Sequence, residues 1–281
     1  TPVTLPGGLV VTALTRNDVG RSTADGDPVP AARTLEAGNV VLDRTTGRYQ
    51  ALAQSYYTVW GAPRGNRGVV SNGAAGLGIL QATNVPRWVI AKYALDPQWS
   101  PDGTRLLLTT TNGFSVVDAS TGRIRRHSLP EAVAHCPDWC LFTWLPGGKS
   151  VAVARRDPSV DQSESKPDTI QDIGIYDATS GDFVEAVPVA GAPAASGAWS
   201  PNTERVLVQS AEPDGDQSIV DIRTGQVLGT IPERNAQFLV DGRVLGLTDA
   251  TASLYDGSGK LLEQMALPAD FAGRTISVGV P

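Results

Sequence analysis

The sequence contains few of the residues that carry charge or reactive chemistry. Of its 281 residues, two are cysteine, two are histidine, one is methionine and 19% are charged. Lys and Arg number 23 against 29 Asp and Glu, which gives a formal net charge of -6. Without a basic excess, the chain has little with which to neutralise phosphates or attract anionic lipid. Nucleic acid and the membrane surface are therefore not expected partners.

Long apolar runs are absent as well. No stretch of about 18 apolar residues occurs, so we expect no direct membrane insertion. Residues 1–5 have neither the basic start nor the apolar core of a signal peptide. We therefore expect a monomeric domain of a larger or anchored protein from which any signal or anchor has been removed. Hydrophobic residues still make up 41% of the chain, at a mean hydropathy of -0.10, which is enough for a folded core.

The two cysteines lie close together, at Cys136 and Cys140, directly after His135. An even pair in one loop predicts a small disulfide and an oxidising compartment. Two reduced, inert thiols are the alternative. A structural zinc site is less favoured because such sites use four Cys and His ligands. The pair therefore predicts a secreted protein or one of the cell envelope.

Glycine and proline are abundant, at 30 and 20 residues, which favours turns over long helices. The turns belong to a repeat. Its first half is a Trp, a turn such as Pro-Asp-Gly, and an apolar strand, found at residues 99–108, 144–153 and 199–208, with weaker copies beginning at Leu5, Trp60 and Phe238. Such turns join two antiparallel strands tightly.

The second half of the repeat is an apolar strand that ends in Asp and a Thr/Ser-Gly corner. Copies begin at Asp43, Asp118, Asp177, Asp221 and Asp256, and residues 77–84 form a degenerate copy. At such corners the Asp side chain bonds the turn backbone. We therefore interpret these aspartates as turn formers rather than catalytic acids, and the recurring Trp60, Trp99, Trp144 and Trp199 as core residues.

Six copies in 281 residues give about 47 residues per repeat, close to a four-stranded propeller blade. We predict an all-β, six-bladed β-propeller in a single domain spanning residues 1–281. The predicted blades cover residues 1–52, 53–92, 93–130, 138–190, 194–232 and 235–270. Residues 275–280 are predicted to close the ring on the first blade, although Val3 and Thr4 could also supply that inner strand.

The Trp-Ser-Pro-Asp-Gly turn with its apolar strand, and the later apolar-Asp corner, resemble the repeats of TolB-type and WD40-like propellers. They also resemble the propeller of prolyl oligopeptidases. The resemblance covers residues 5–268 but departs from true WD40 repeats, because the Trp-Asp pair is replaced, for example by Val117-Asp118 and Tyr176-Asp177. It implies a fold and leaves the function open, since propellers host binding, scaffolding and catalysis alike.

The extra length between repeats falls mainly between the second and third strands or between one repeat and the next. Both kinds of connection emerge at the same end of an antiparallel blade, where binding residues usually lie. The binding candidates at that end are Tyr56, Tyr57, Lys92, Tyr93, His135, Trp139, Arg155, Arg156 and Asp157. Partial burial is the alternative for the two adjacent tyrosines and Trp139.

Acidic residues lie in the same connections, namely Asp161, Glu164, Asp168, Glu212, Asp214 and Asp216. They are interpreted as solvated loop residues, with calcium binding as the alternative. No cofactor is otherwise expected.

Catalytic motifs are not evident in the sequence. There is no Gly-x-Ser-x-Gly elbow in these residues, and we expect no hydrolase domain of the kind that accompanies the prolyl oligopeptidase propeller. A carboxylate pair for glycoside chemistry leaves no local motif and stays open. We therefore predict a non-enzymatic module of the cell envelope or exterior that binds a protein partner at its long loops. The alternative is small-molecule or glycan binding, or lyase or hydrolase activity, at the central opening.

Overall fold

The computed structural model describes residues 1–15, 39–54, 56–72, 76–81, 85–129, 134, 140–161, 166–212 and 214–281. Within these ranges the regular structure is β-strand, arranged in six antiparallel sheets, together with one short 3-10 helix, Pro6–Gly8, and no α-helix occurs. No helix in the described part of the chain is long and apolar enough to cross a membrane. The chain divides into two compact units, Thr1–Tyr93 with Ala266–Pro281, and Ala94–Met265.

The first unit contains two four-stranded sheets. One has the spatial order β23-β1-β2-β3 and the other β4-β5-β6-β7. Their strands are β1 (Val10–Thr15), β2 (Val40–Asp43), β3 (Arg48–Ala51), β4 (Thr58–Gly61), β5 (Arg67–Ser71), β6 (Leu77–Gln81), β7 (Arg87–Ile90) and β23 (Thr275–Gly279).

The second unit contains four sheets, ordered β8-β9-β10-β11, β12-β13-β14-β15, β16-β17-β18 and β19-β20-β21-β22. The strands of the first two sheets are β8 (Gln98–Trp99), β9 (Arg105–Thr110), β10 (Gly113–Asp118), β11 (Ile124–Ser128), β12 (Thr143–Trp144), β13 (Ser150–Arg156), β14 (Ile170–Asp177) and β15 (Phe183–Val187). Those of the last two are β16 (Arg205–Val208), β17 (Gln217–Asp221), β18 (Val227–Ile231), β19 (Asn235–Phe238), β20 (Val244–Leu247), β21 (Thr251–Tyr255) and β22 (Leu261–Ala266).

Six sheets of this kind confirm the predicted fold class, a six-bladed β-propeller. In the sheet of β16 to β18, the inner strand is reduced to two isolated bridges, from Pro193 to Val208 and from Trp199 to Val206. Pro193 has no backbone N–H to donate, which limits regular pairing there. The single-domain prediction is not tested by these observations and stays a prediction.

The first sheet combines the two ends of the chain. β23 pairs antiparallel with β1, from Val10 opposite Gly279 to Thr15 opposite Thr275. Residues 3 and 4 instead make only an isolated bridge, Thr4 with Val10, and a bond from Val11 N to Val3 O. The closing strand is therefore C-terminal, as predicted, and the register that the sequence left open is fixed.

The repeated tryptophans of the second unit join neighbouring sheets. Trp144 is 1% exposed and its Nε1 donates to Gln98 O at 3.1 Å, in the preceding sheet. Trp199 is 3% exposed and its Nε1 donates to Thr143 Oγ1 at 3.2 Å. Each indole buries its ring and satisfies its one donor in the same contact, which confirms these two as core residues. Trp99 is also buried, whereas Trp60 is half-buried.

Candidate functional site

The connections between strands differ in length at the two ends of each sheet. Turns that join the first strand to the second, or the third to the fourth, have four or five residues throughout. Connections from the second strand to the third, or from one sheet to the next, have from two to 24 residues. Alternate connections leave an antiparallel sheet at opposite ends. The variation in connection length is thus confined to one end of each sheet, as predicted. We call this end the long-connection end and the opposite end the short-turn end.

The aspartate corners form the short turns as expected. Asp177 Oδ1 accepts the N–H groups of Thr179 at 2.8 Å and Ser180 at 2.7 Å. Asp118 and Asp221 bond the residues two and three positions on in the same way, Asp43 accepts from Thr45 N, and Asp256 accepts from Ser258 N and Lys260 N. These bonds favour the charged carboxylate, so the pKa values of Asp177, Asp221 and Asp256 lie below their usual value. The pKa of Asp43 is lowered as well, mainly by the hydrogen bond from the Thr46 hydroxyl.

The two adjacent tyrosines in the first unit occupy opposite environments. Tyr56 is 8% exposed, packs within the apolar core, and lies 6.5 Å from the Trp88 ring between centroids. Burial raises the pKa of its phenol. Tyr57 is 69% exposed, while its backbone N–H donates to Ser71 O at 2.9 Å. Of the pair, Tyr57 has an exposed ring, whereas Tyr56 is buried and supports the sheet. The alternative of burial therefore holds for Tyr56 and not for Tyr57.

Lys92 and Tyr93 lie in the connection that follows β7. Lys92 is exposed, whereas Tyr93 is half-buried. The Tyr93 ring meets Trp60 edge to face, at 6.4 Å between centroids, and its hydroxyl hydrogen-bonds the Ser71 hydroxyl. Tyr93 is thus held in place by Trp60 and Ser71, and Lys92 is the more accessible of the two candidates.

Arg155 in the second unit is held by an ion pair. Its Nε and Nη2 donate to the two oxygens of Asp172, each at 2.6 Å, across the β13–β14 pair. The guanidinium also lies over the Phe183 ring, 5.0 Å from its centroid. The hydrogen bonds that Arg155 donates to Asp172 raise the pKa of its guanidinium, against the effect of burial. Arg155 is therefore a fixed part of the sheet and not a loose ligand group.

The two residues after Arg155 differ from it. Arg156 is exposed at the end of β13, where a bulge separates it from Arg155. Asp157 accepts both the N–H and the hydroxyl of Ser159, at 2.9 and 2.6 Å, and these bonds lower the pKa of its carboxyl. Asp157 therefore begins a turn, and Arg156 is the more available side chain.

Several predicted residues lie outside the described ranges, namely His135, Cys136, Trp139 and Glu164. Cys140 is described and is 4% exposed, beside Ala134, Ala154 and Ala192. Because Cys136 is not described, the disulfide stays a prediction.

The remaining acids are spread along the surface. Asp161, Glu212, Asp214 and Asp216 are exposed, and Asp168 is half-buried. Asp214 lies 3.6 Å from an Arg234 nitrogen. Among the described residues, no group of three or more His, Cys, Asp or Glu is close enough to hold a metal ion. Calcium binding is left as an untested alternative.

Exposed apolar residues were missed by the sequence reasoning. Most of them lie at the short-turn end, at Val85, Phe183, Val184, Val227, Val240, Leu261 and Leu262. Trp88, which is 45% exposed, instead lies opposite Gly78, next to the long-connection end of β6. Phe183, Val227 and Leu261 each begin an outer strand directly after an aspartate corner. An apolar residue two positions after the corner glycine was therefore the signal that could have found them.

A buried carboxylate between the last two sheets of the second unit was missed as well. Glu233 is 5% exposed, and its Oε1 accepts the Tyr255 hydroxyl at 2.9 Å. Its Oε2 has no partner among the described residues. The pKa of Tyr255 is raised to about 12, mainly because its phenol is buried and also because its hydroxyl bonds the Glu233 carboxylate. No local sequence pattern marks such a pair, because the two residues meet only through packing.

The protein is thus a β-propeller whose sheets and short turns are regular and whose long connections vary in length. No family model and no curated protein sequence matches the chain. Among solved structures, it is similar to BamB from Moraxella catarrhalis, at 13% sequence identity and a TM-score of 0.45, over 95% of this chain and 76% of that chain.

Proposed function

We propose that this chain is a non-enzymatic interaction module that binds a protein partner at the long-connection ends of its sheets. The observation that carries the proposal is the confinement of length variation to those ends, beside turns of constant length. Variable connections on a rigid scaffold are a common way to build a recognition surface. The resemblance to TolB-type and WD40-like repeats is consistent with such a module.

The two units each offer accessible side chains for this role. In the first, Tyr57 combines an exposed ring with a backbone fixed by Ser71. In the second, Arg156 follows Arg155, which Asp172 holds in place. Tyr and Arg on fixed backbone are frequent hot-spot residues because little side-chain entropy is lost on binding.

The proposal includes a location. A disulfide between Cys136 and Cys140 would require an oxidising compartment, so we place the module in the cell envelope or outside the cell. The test of this part is the mass of the purified protein with and without reductant after thiol alkylation. Two thiols blocked without reductant would remove the argument for that location.

Site-directed photo-crosslinking in cells that make the protein tests the binding surface. A photoreactive amino acid is placed at Tyr57, at Arg156, or at Val240, which is 81% exposed in a short turn and serves as the control. The proposal predicts one protein adduct of defined mass from positions 57 and 156 and none from 240. Adducts from position 240 alone would place the partner at the short-turn end.

Small-molecule or glycan binding, or catalysis on such a ligand, is tested separately. Thermal-shift measurements with sugars and metal ions detect it, since a ligand at 100 times its Kd adds about 2.7 kcal/mol of stability. A reproducible shift together with the absence of any protein adduct would favour this alternative over the proposed module.

A further inference from the structure

One outer strand differs from the others in its charge. β11 (Ile124–Ser128) and the turn before it carry Arg123, Arg125 and Arg126, all exposed. None of the three forms an ion pair or a side-chain hydrogen bond within the described residues. The chain as a whole has a net charge of -6, so this concentration of unpaired arginine is a local reversal of its charge.

Two other arginines of the second unit pair with acids. Arg223 bonds Glu204 at 3.2 Å, and Arg243 contacts Asp241 at 2.7 Å. Of the other outer strands, β15 and β22 each carry a glutamate, Glu185 and Glu263, and β18 carries no charge. The outer strands β3 and β7 each carry a single arginine, Arg48 and Arg87. Because no other outer strand carries more than one arginine, an anionic partner would find its strongest complement at β11.

The backbone of β11 has one unpaired edge. Asp118 N donates to Arg123 O, and Leu129 N donates to Asn112 O, at the two ends of the β10–β11 ladder. Hydrogen-bonded positions alternate along an antiparallel pair, so positions 125 and 127 bond β10. The N–H and C=O groups of positions 124, 126 and 128 point the other way, and β11 is the last strand of its sheet.

We propose that β11 is a docking site for an acidic, extended segment of a partner protein, which adds to the sheet as a further strand. Strand addition satisfies the outward backbone groups of β11, and the arginines select the incoming side chains. A nucleic acid or a lipid surface would satisfy the charge alone. The site is separate from the surface of the proposed function and does not depend on it.

The geometry also specifies the pattern of the segment. Arg125 and Arg126 are consecutive and so point to opposite faces of the sheet. Residues facing them on an added strand are therefore also consecutive, which calls for two adjacent acids. His127 packs against Gly181, where an added Cβ would lie 2.5 Å from Nδ1, and exposed Phe183 begins β15 just beyond. Apolar residues beside the acids fit that neighbourhood.

Fluorescence anisotropy with a labelled peptide tests the docking site. The probe has two adjacent glutamates flanked by valine and threonine, and a matched peptide carries glutamines instead. The full chain should bind the glutamate peptide more tightly than the glutamine peptide, with a difference that shrinks as salt is added. Equal binding of the two peptides would overturn the proposal.

Two variants separate charge from strand addition. The Arg125→Glu, Arg126→Glu double variant should weaken binding about tenfold, since two attractive pairs become repulsive. Arg223→Glu with Arg243→Glu makes the same change in net charge at paired arginines and should leave binding within about twofold.

Ser128→Pro supplies the second readout. It removes an outward N–H while keeping every arginine and the bonds to β10, a substitution that edge strands tolerate. Weakened peptide binding at an unchanged melting temperature supports strand addition. Full binding by Ser128→Pro, or equally tight binding of a single-stranded oligonucleotide or anionic vesicles, would show a charge-only anion site and overturn the proposal.

Discussion

Deletion of residues 275–281 should destabilise the protein strongly, because β23 is the inner strand of the first sheet. Val280 N donates to Pro63 O and Arg44 Nε donates to Val280 O, each at 3.0 Å. Gly61 N donates to Ser277 Oγ, also at 3.0 Å. These three bonds contribute about 3 kcal/mol, and the lost pairing with β1 brings the total to on the order of 5 kcal/mol.

Differential scanning calorimetry measures the effect. For a chain of this size, each kcal/mol of lost stability lowers the melting temperature by about 2–4 °C, so the deletion should lower it by about 10–20 °C. Removal of Pro281 alone, which is exposed, is the control and should leave the transition in place. A truncated chain that melts within about 2 °C of the full chain would refute closure by β23.

A single substitution tests the same contact without removing a strand. An added Cβ at Gly279 would lie 2.5 Å from Pro63 O, which is backbone and cannot rotate away. Gly279→Ala should therefore lower the melting temperature. Gly147→Ala is the matched control, since its added Cβ meets nothing within 4 Å. Equal melting temperatures for the two variants would contradict the observed register.

Three further predictions concern stability and rest on single contacts. The backbone N–H groups of its turn lower the pKa of Asp177 in the folded state. The charged carboxylate therefore stabilises the fold above its unfolded-state pKa, and this contribution is lost as the pH falls through its folded-state pKa. Asp177→Asn should therefore make the melting temperature depend less on pH between about pH 6 and pH 3. Asp172→Ala leaves the Arg155 guanidinium without its partner and should cost about 2 kcal/mol in urea unfolding, with recovery when Arg155 is also replaced by Met. Gly246→Ala places a Cβ 2.6 Å from Glu233 Oε2 and should cost about 1–3 kcal/mol by the same assay. If one of these variants is as stable as the unmodified chain, the contact named for it does not contribute to stability.

Local chemistry explains why much of the fold could be predicted. The Pro-Asp-Gly-like turns and the aspartate corners specify their own backbone, as the bonds around Asp177 show. Strand content, repeat number and the end that carries the length variation follow from these turns. The reduced inner strand near Pro193 was not foreseen, because it depends on which backbone groups meet across a sheet.

The candidate site could be predicted only in outline. Tyr56 and Tyr57 are adjacent and chemically identical, yet packing against Trp88 buries one and leaves the other exposed. Arg155 is fixed by Asp172, 17 positions away along the chain, through strand pairing. Such partners are set by register and packing, which a single sequence does not reveal.

Isothermal titration with the crosslinked partner, once it is purified, tests the central claim most directly. Tyr57→Ala and Arg156→Ala should each weaken binding by about tenfold or more, as truncation of a hot-spot side chain does. Val240→Ser, at the short-turn end, should bind like the unmodified chain. Full affinity in the first two variants, with loss in the third, would contradict the account.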